Sequence, residues 1–354
     1  MRHRCIKLYF FRVYNEFMGS VIPLKKSANS AYLDLKNLLS GKLDLVEKLI
    51  NFKLQSHVEL IQKMSDHHLN SGGKRIRALL TMGAAKLGGY SGGKRDINLA
   101  GCVELIHSAT LLHDDVIDES KVRRGNKTTN SIWGNQSSIL LGDYLLSRCF
   151  EMMVEDGSLE VLKLLSSTSS KIAQGEVMQL QHKGEADLLE ENYIKIINLK
   201  TAALFSAASR VGACISNLEE RKKDALESYG KNLGLAFQIA DDALDYFSKE
   251  QIFGKKIGKD FFEGKVTLPI IMIFQKADNN EREILSKIFK KDLRSQKDFD
   301  YVLKLIKKYN ALDATFKRAE YFVNVSYDAL GIFDNSNEKS VLQNLTGFSL
   351  NRSF

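Results

Sequence analysis

The sequence predicts an all-α, single-domain helical bundle enclosing a central cavity. Three observations point there. Apolar residues recur at spacings of three and four from about Leu33 onward, the period of one helix face. Only two prolines occur, Pro23 and Pro269, so long helices are barely interrupted. No alternating, strand-like segments bracket the helical stretches, which leaves helix-on-helix packing as the way to bury the apolar faces.

Taken in order, Leu35, Leu38, Leu39, Leu45, Val46, Leu49 and Ile50 outline the first helical face. The glycine-rich SGGKR at 71–75 breaks the pattern and marks a loop. A second SGGKR, at 91–95, lies in LGGYSGGKR (87–95); it lacks the arginine that follows the first copy and reads as a surface loop. Residues 97–118 (INLAGCVELIHSATLLHDDVID) form a long apolar-rich helix, and GNKTTN at 125–130 the loop beyond it. Residues 137–153 and 225–247 are two further long helices, and FGKKIGKDFFEGK at 253–265 is a loop. Residues 23–354 read as one domain. Residues 1–22 differ: they are basic and aromatic, and Arg12 interrupts an apolar part too short for a secretory signal. They read equally as an organelle-type presequence or as an upstream extension with Met18 as the start.

Bulk properties exclude several function classes. No run approaches the roughly 18 apolar residues of a membrane span. The four cysteines (Cys5, Cys102, Cys149, Cys214) are far apart and form no C-x-x-C pair. That argues against a zinc knuckle or a disulfide framework and for a reducing compartment, hence a cytoplasmic protein. The formal net charge is +8. No basic block interleaved with aromatics accompanies it, so no nucleic-acid partner is expected. The basic residues instead cluster beside acidic ones, which suggests diphosphate anions.

The acidic clusters are Asp114-Asp115-Val116-Ile117-Asp118 and Asp241-Asp242-Ala243-Leu244-Asp245, both D-D-x-x-D. On a helix the first and last aspartates are one turn apart and share a face. Such close like charges repel unless something cationic sits between them. Carboxylate oxygens suit a hard divalent ion such as magnesium, which commonly bridges carboxylates to phosphates. Six carboxylates would repel a diphosphate; about two or three magnesium ions would reverse that sign and stabilise diphosphate as a leaving group. Departure of diphosphate leaves a carbocation, which demands an apolar cavity that excludes water.

Each cluster has cations nearby. His107 shares a face with Asp114 and Asp118, and Arg123 and Arg124 follow with fork-shaped donors suited to phosphate. Gln238 shares a face with Asp241 and Asp245, and Lys255, Lys256, Lys259 and Lys265 follow. In Gly72-Gly73-Lys74-Arg75-Ile76-Arg77 the glycines let the backbone approach an anion, and Lys74 and Arg77 can converge on it. Either cluster alone also reads as a solvated, charged helix end; the recurrence of acid followed by base is what favours a site.

Together GGKRIR, ELIHSATLLHDDVIDES followed by RRG, Lys200-Thr201, GLAFQIADDALDY and GKDFFEGKVTLP resemble the all-trans polyprenyl diphosphate synthases, and most closely the bacterial long-chain enzymes of octaprenyl type. The likeness runs from about residue 33 to the C-terminus. It implies the isoprenoid synthase fold, a homodimer, and magnesium-dependent head-to-tail condensation of isopentenyl diphosphate with an allylic diphosphate. The product would serve as the ubiquinone side chain, with peripheral membrane contact for its release. Residue by residue, Lys74, Arg77, His107 and Arg124 would bind isopentenyl diphosphate. Asp114, Asp118 and Asp241 would be the main magnesium ligands, assisted by Asp115, Asp242 and Asp245. Arg123, Lys200, Thr201, Gln238 and Lys259, with Lys265, would bind the allylic diphosphate. Asp114, Asp118, Asp241 and Lys200 would carry the ionisation.

Chain length would be set below the first cluster, where Ala109 and Thr110 are small enough to leave a tunnel open, although a small residue also permits close helix packing. The sequence departs from the family at Ala78, where a proline is usual; its loss would loosen the helix start slightly. Alternatives are a shorter-chain product, a class I terpene cyclase and a non-catalytic partner subunit. The Lys74, Arg77 and Arg124 set argues against a cyclase, and two complete acidic clusters argue against a silent subunit.

Overall fold

The computed structural model describes residues 28–39, 41–247, 257–348 and 350. The expectations for residues 1–22, with Cys5, and for Lys255 and Lys256 lie outside the described residues. Helices α1 (Ala28–Leu38), α2 (Lys42–Lys53), α3 (Glu59–Asn70) and α4 (Ile76–Leu87) lead to the long α5 (Arg95–Ile117). Strands β1 (Val122–Arg123) and β2 (Asn126–Lys127) and the short α6 (Thr129–Trp133) connect it to α7 (Asn135–Asp156) and α8 (Leu159–Gln181). Then come α9 (Glu190–Ile197), a π-helical turn (Asn198–Ala202), α10 (Ala203–Ile215) and α11 (Glu220–Phe247). Helices α12 (Lys259–Glu263), α13 (Leu268–Lys276), α14 (Asn279–Phe289), α15 (Gln296–Lys308), α16 (Ala311–Ala329) and α17 (Asn337–Leu345) complete the order, and a 3-10 turn (Thr346–Phe348) follows.

The long helices lie where expected, and each begins two to five residues before the expected start. Helix α5 shows little amphipathic contrast for a physical reason: it is buried on nearly every side, from Asp96 to Asp115. Two apolar clusters fill the interior. One contains α4, α5, α7, α10 and the first half of α11; the other contains α9 and α12–α16. Helix α11 supplies Leu226, Tyr229 and Leu233 to the first, and Leu235, Ile239 and Tyr246 to the second. It is therefore the wall shared by both, and its last turns carry Asp241–Asp245.

Two expected loops contain structure. Within 125–130 the chain completes a hairpin, Val122 opposite Lys127 and Arg123 opposite Asn126, and then begins α6. Its tip, Arg124-Gly125, takes positive φ (52° and 82°), as tight hairpin turns require. Within 253–265, α12 forms between left-handed Gly258 and Gly264. The second SGGKR is an exposed loop, as expected, and its Arg95 is spent on a two-pronged pair with Asp156 (2.8 Å each).

The start of α4 corrects one expectation. Alanine at 78 does not leave this helix end open. Its N–H, which proline would lack, donates to Glu104 Oε1 on α5 at 3.1 Å. The other Glu104 oxygen lies 3.5 Å from Arg75 Nη1. Arg75 is the residue before the helix and stands in the left-handed region at φ 48°. One buried carboxylate thus braces the turn between Lys74 and Arg77.

Candidate active site

At the first cluster, Asp114 occupies the last turn of α5, and Asp118 sits just past its end with its N–H bonded to the Asp114 carbonyl at 2.8 Å. Lys200 Nζ lies 3.9 Å from an Asp114 oxygen, and Lys265 donates to Asp118 at 2.9 Å. Asp115, one residue round the helix, is buried and accepts from Arg123 Nε (2.9 Å) and Nη2 (2.8 Å). Burial pushes the Asp114 carboxyl up to about 6; Lys200 opposes this, while Glu176 and Asp118 add to it. Burial also raises Asp118, but Lys265 outweighs it and the group lies below its ordinary value.

At the second cluster Asp241 is exposed at the surface of α11, whereas Asp242 is buried. Asp242 accepts from Tyr193 Oη at 2.6 Å and from Gln238 Nε2 at 2.7 Å. Asp245 turns both oxygens to the first amides of α12, Lys259 N (3.2 Å) and Asp260 N (2.9 Å), where the positive end of the helix favours a carboxylate. From α12 the chain reaches back: Lys259 Nζ donates to Ser120 Oγ at 3.0 Å, and Lys265 to Asp118. The segment from Lys259 to Lys265 therefore ties the end of α11 to the end of α5, and the two clusters meet across it.

Lys200 and Thr201 lie in the π-helical turn. Such turns widen a helix by one residue and recur at functional sites. Lys200 pairs with Glu176 and donates to Gln179 Oε1 at 2.8 Å, both on α8. Thr201 donates to Gln238 Oε1 at 2.9 Å. Two glycines permit the approach. A Cβ at Gly175 would stand 2.6 Å from the Lys200 nitrogen, and one at Gly234 would stand 2.7 Å from the Ala202 Cα.

A separate basic group surrounds the first GGKR. Arg124 Nη1 donates to the Gly72 carbonyl. Lys74 stands 4.8 Å over the Phe348 ring and 5.9 Å over Tyr32, and Arg77 stands 4.5 Å over Phe205. Burial, then the charges of Arg77, Arg124, Arg123 and Arg75, hold His107 well below its ordinary pKa. Burial, then Arg75, Arg123 and Arg124, lower His68 to about 3. Both imidazoles are neutral among cations, so the patch keeps its positive charge without adding to it. Ala109 is buried in the first apolar cluster, and Thr110 is half-buried with its hydroxyl on the His107 carbonyl at 2.8 Å.

Sequence reasoning missed Glu176, Gln179, Tyr193, His68, Ser120 and Glu104. Only paired polar residues inside apolar helices, such as Glu176 and Gln179, hinted at them. Of the six carboxylates, Asp115 pairs with Arg123, Asp242 accepts from Tyr193 and Gln238, Asp245 accepts from the first amides of α12, and Asp118 pairs with Lys265. Among the described residues no three acidic, imidazole or thiol groups already stand at ligand spacing. The donor set still fits a hard cation, since all are carboxylate oxygens. Among the described residues no helix is long and apolar enough to cross a membrane.

The profile of the Polyprenyl synthetase family matches residues 58–306. The chain belongs to this family. Among its relatives, the octaprenyl diphosphate synthase of Haemophilus influenzae is 34% identical over 331 residues, 94% of this chain and 100% of that protein. The geranyl-diphosphate-specific all-trans-nonaprenyl-diphosphate synthase of Rhodobacter capsulatus is 37% identical over 307 residues, 87% of this chain and 94% of the relative. A polyprenyl synthase from Caulobacter crescentus, solved with calcium and isoprenyl diphosphate, superposes with a TM-score of 0.86 at 40% identity, covering 91% of this chain and 98% of the other. This polyprenyl synthetase is thus a prenyltransferase of isoprenoid biosynthesis with the all-helical isoprenoid synthase fold.

Proposed function

We propose that this polyprenyl synthetase lengthens an allylic diphosphate with isopentenyl diphosphate, head to tail, to an all-trans octaprenyl diphosphate for the ubiquinone side chain. The carrying observation is the bridge from Asp245 through Lys259 and Lys265 to Ser120 and Asp118, which joins both acidic clusters. The basic group around Lys74, Arg77, His107 and Arg124 offers a second anion place, which suits a reaction of two diphosphates.

In this reading Asp114, Asp118 and Asp241 hold magnesium, and Asp115, Asp242 and Asp245 hold the surroundings. Magnesium, when bound, neutralises the leaving diphosphate. Lys200, Lys259 and Lys265, with Arg123 and Thr201, hold that diphosphate and add positive charge as its bond to carbon breaks. Lys74, Arg77 and Arg124 fix isopentenyl diphosphate so that its double bond faces the allylic cation. The buried apolar residues around α5 and α10 keep water from that cation. In this reading the released diphosphate takes the last proton.

Residues 23–354 would act as one cytoplasmic domain. A homodimer is supported by the apolar side chains that α7 exposes, Leu140 at 66% and Val154 at 67%. A nonaprenyl product is the second reading, favoured by the likeness to the Rhodobacter capsulatus enzyme. The test is to size the products made from labelled isopentenyl diphosphate with geranyl or farnesyl diphosphate as primer, for wild type and Ala109→Tyr. The wild type should give a chain of about eight isoprene units, and Ala109→Tyr a shorter one, because a phenol ring blocks an apolar passage. A ring in place of a chain would refute elongation, and unchanged length would refute the role of Ala109.

A further inference from the structure

We infer that Tyr193 is a positioning residue for the allylic diphosphate pocket, acting through Asp242 and Gln238 without touching substrate. Tyr193 is buried on α9, and its hydroxyl donates to Asp242 Oδ2 at 2.6 Å. The other oxygen, Oδ1, accepts from Gln238 Nε2 at 2.7 Å, and Gln238 Oε1 accepts from Thr201 at 2.9 Å. Gln238 turns its NH2 towards Asp242. Its carbonyl oxygen then faces Thr201 and accepts a hydrogen bond from that hydroxyl. The chain of bonds thus sets two polar groups at once, and its fixed end is Tyr193.

The same bond spans two walls. Helix α9 runs straight into the π-helical turn with Lys200 and Thr201, and Asp242 and Gln238 belong to α11. Without the hydroxyl, a buried Asp242 oxygen loses its partner. The carboxylate can then rotate about its last bond to share Gln238, and the amide loses its single orientation. A buried acceptor left bare is costly, so this rotation is the expected response.

On the reading of Thr201 and Gln238 as allylic diphosphate contacts, on which this rests, Tyr193→Phe should raise KM for the allylic substrate about tenfold. KM for isopentenyl diphosphate should stay within about twofold, since Lys74 and Arg77 lie elsewhere. Steady-state kinetics on Tyr193→Phe, Gln238→Ala and the double variant decide it. If Tyr193 acts through Gln238, the double variant is no worse than Gln238→Ala alone. Additive losses, an equal rise in both KM values, or a Tyr193→Phe chain that does not fold would overturn the inference while leaving the pocket reading intact. An unchanged allylic KM in Gln238→Ala would instead sink the pocket reading, and the inference with it.

Discussion

Replacing Glu104 tests whether one buried carboxylate holds the loop that presents Lys74 and Arg77. Glu104 is 2% exposed, accepts from the Ala78 amide at 3.1 Å, and faces Arg75 at 3.5 Å. Glu104→Ala removes a charge-assisted hydrogen bond worth ~1.5–3 kcal/mol. It also removes the nearer of the two carboxylates beside the Arg75 side chain, 11% exposed, among the described residues; Glu47 remains at 3.7 Å. The left-handed backbone of Arg75 carries a further strain of about 1 kcal/mol that then lacks support. A loss of about 4 kcal/mol follows. For 354 residues the unfolding entropy is ~0.7 kcal/mol per kelvin, so Tm should fall by about 6 °C. Glu104→Gln keeps an acceptor for Ala78 and loses only the charge, so about 2 °C is expected. Ala78→Pro removes the donor from the other side. It should destabilise, although proline in a first helical turn usually helps. Calorimetry gives the Tm values, and KM for isopentenyl diphosphate should rise in step. A Glu104→Ala protein melting within a degree of wild type, or Gln as damaging as Ala, would refute the bracing role.

Asp114 gives a pH signature. Its carboxyl is raised to about 6, so the folded state binds the proton more tightly than the unfolded chain; this contribution is fully present below about pH 4 and lost as pH rises towards 6. With its side chain 22% exposed, the shift corresponds to about 3 kcal/mol. Metal-free Asp114→Asn should therefore be more stable than wild type at pH 7, and by only about a third as much at pH 4.5; urea midpoints that differ alike at both pH values would contradict the raised carboxyl. Gly175→Ala should lower kcat and destabilise by about 1–2 kcal/mol, because the added Cβ would press on the Lys200 backbone at 2.6 Å. An active enzyme with unchanged melting would show that α8 and the π-helical turn can part without cost.

What could be read from the chain, and what could not, follows from the range of the contacts. Helix period and the two D-D-x-x-D clusters are local, so α5, α11 and their acidic ends were legible. The π-helical turn was not: Asn198–Ala202 has the composition of an ordinary helix, and its extra residue is imposed by packing against Gly175 and Gly234. Tyr193 was invisible because its partner, Asp242, comes from a distant part of the chain, and Glu176 showed only as a polar residue in an apolar helix, its partner Lys200 lying on another element. The hairpin was missed because two-residue strands are too short to show alternation.

The same limit explains why the clusters look alike in sequence and differ in space. Helical geometry turns the second aspartate of each motif about 100° from the first, towards the protein interior. What waits there is set by other helices. Asp115 meets the guanidinium of Arg123, and Asp242 meets the neutral Tyr193 and Gln238. The first carboxylate is balanced by charge and the second only by hydrogen bonds. A buried carboxylate without a counter-charge is pushed upward, and Asp242 is raised to about 7 while its neighbours Asp241 and Asp245 add to the effect. The buried centre of the α11 cluster is thus held by neutral hydrogen bonds, and that of the α5 cluster by an ion pair. Lys259 and Lys265 reach past α11 to Ser120 and Asp118, so the one segment that caps Asp245 also carries positive charge to the end of α5.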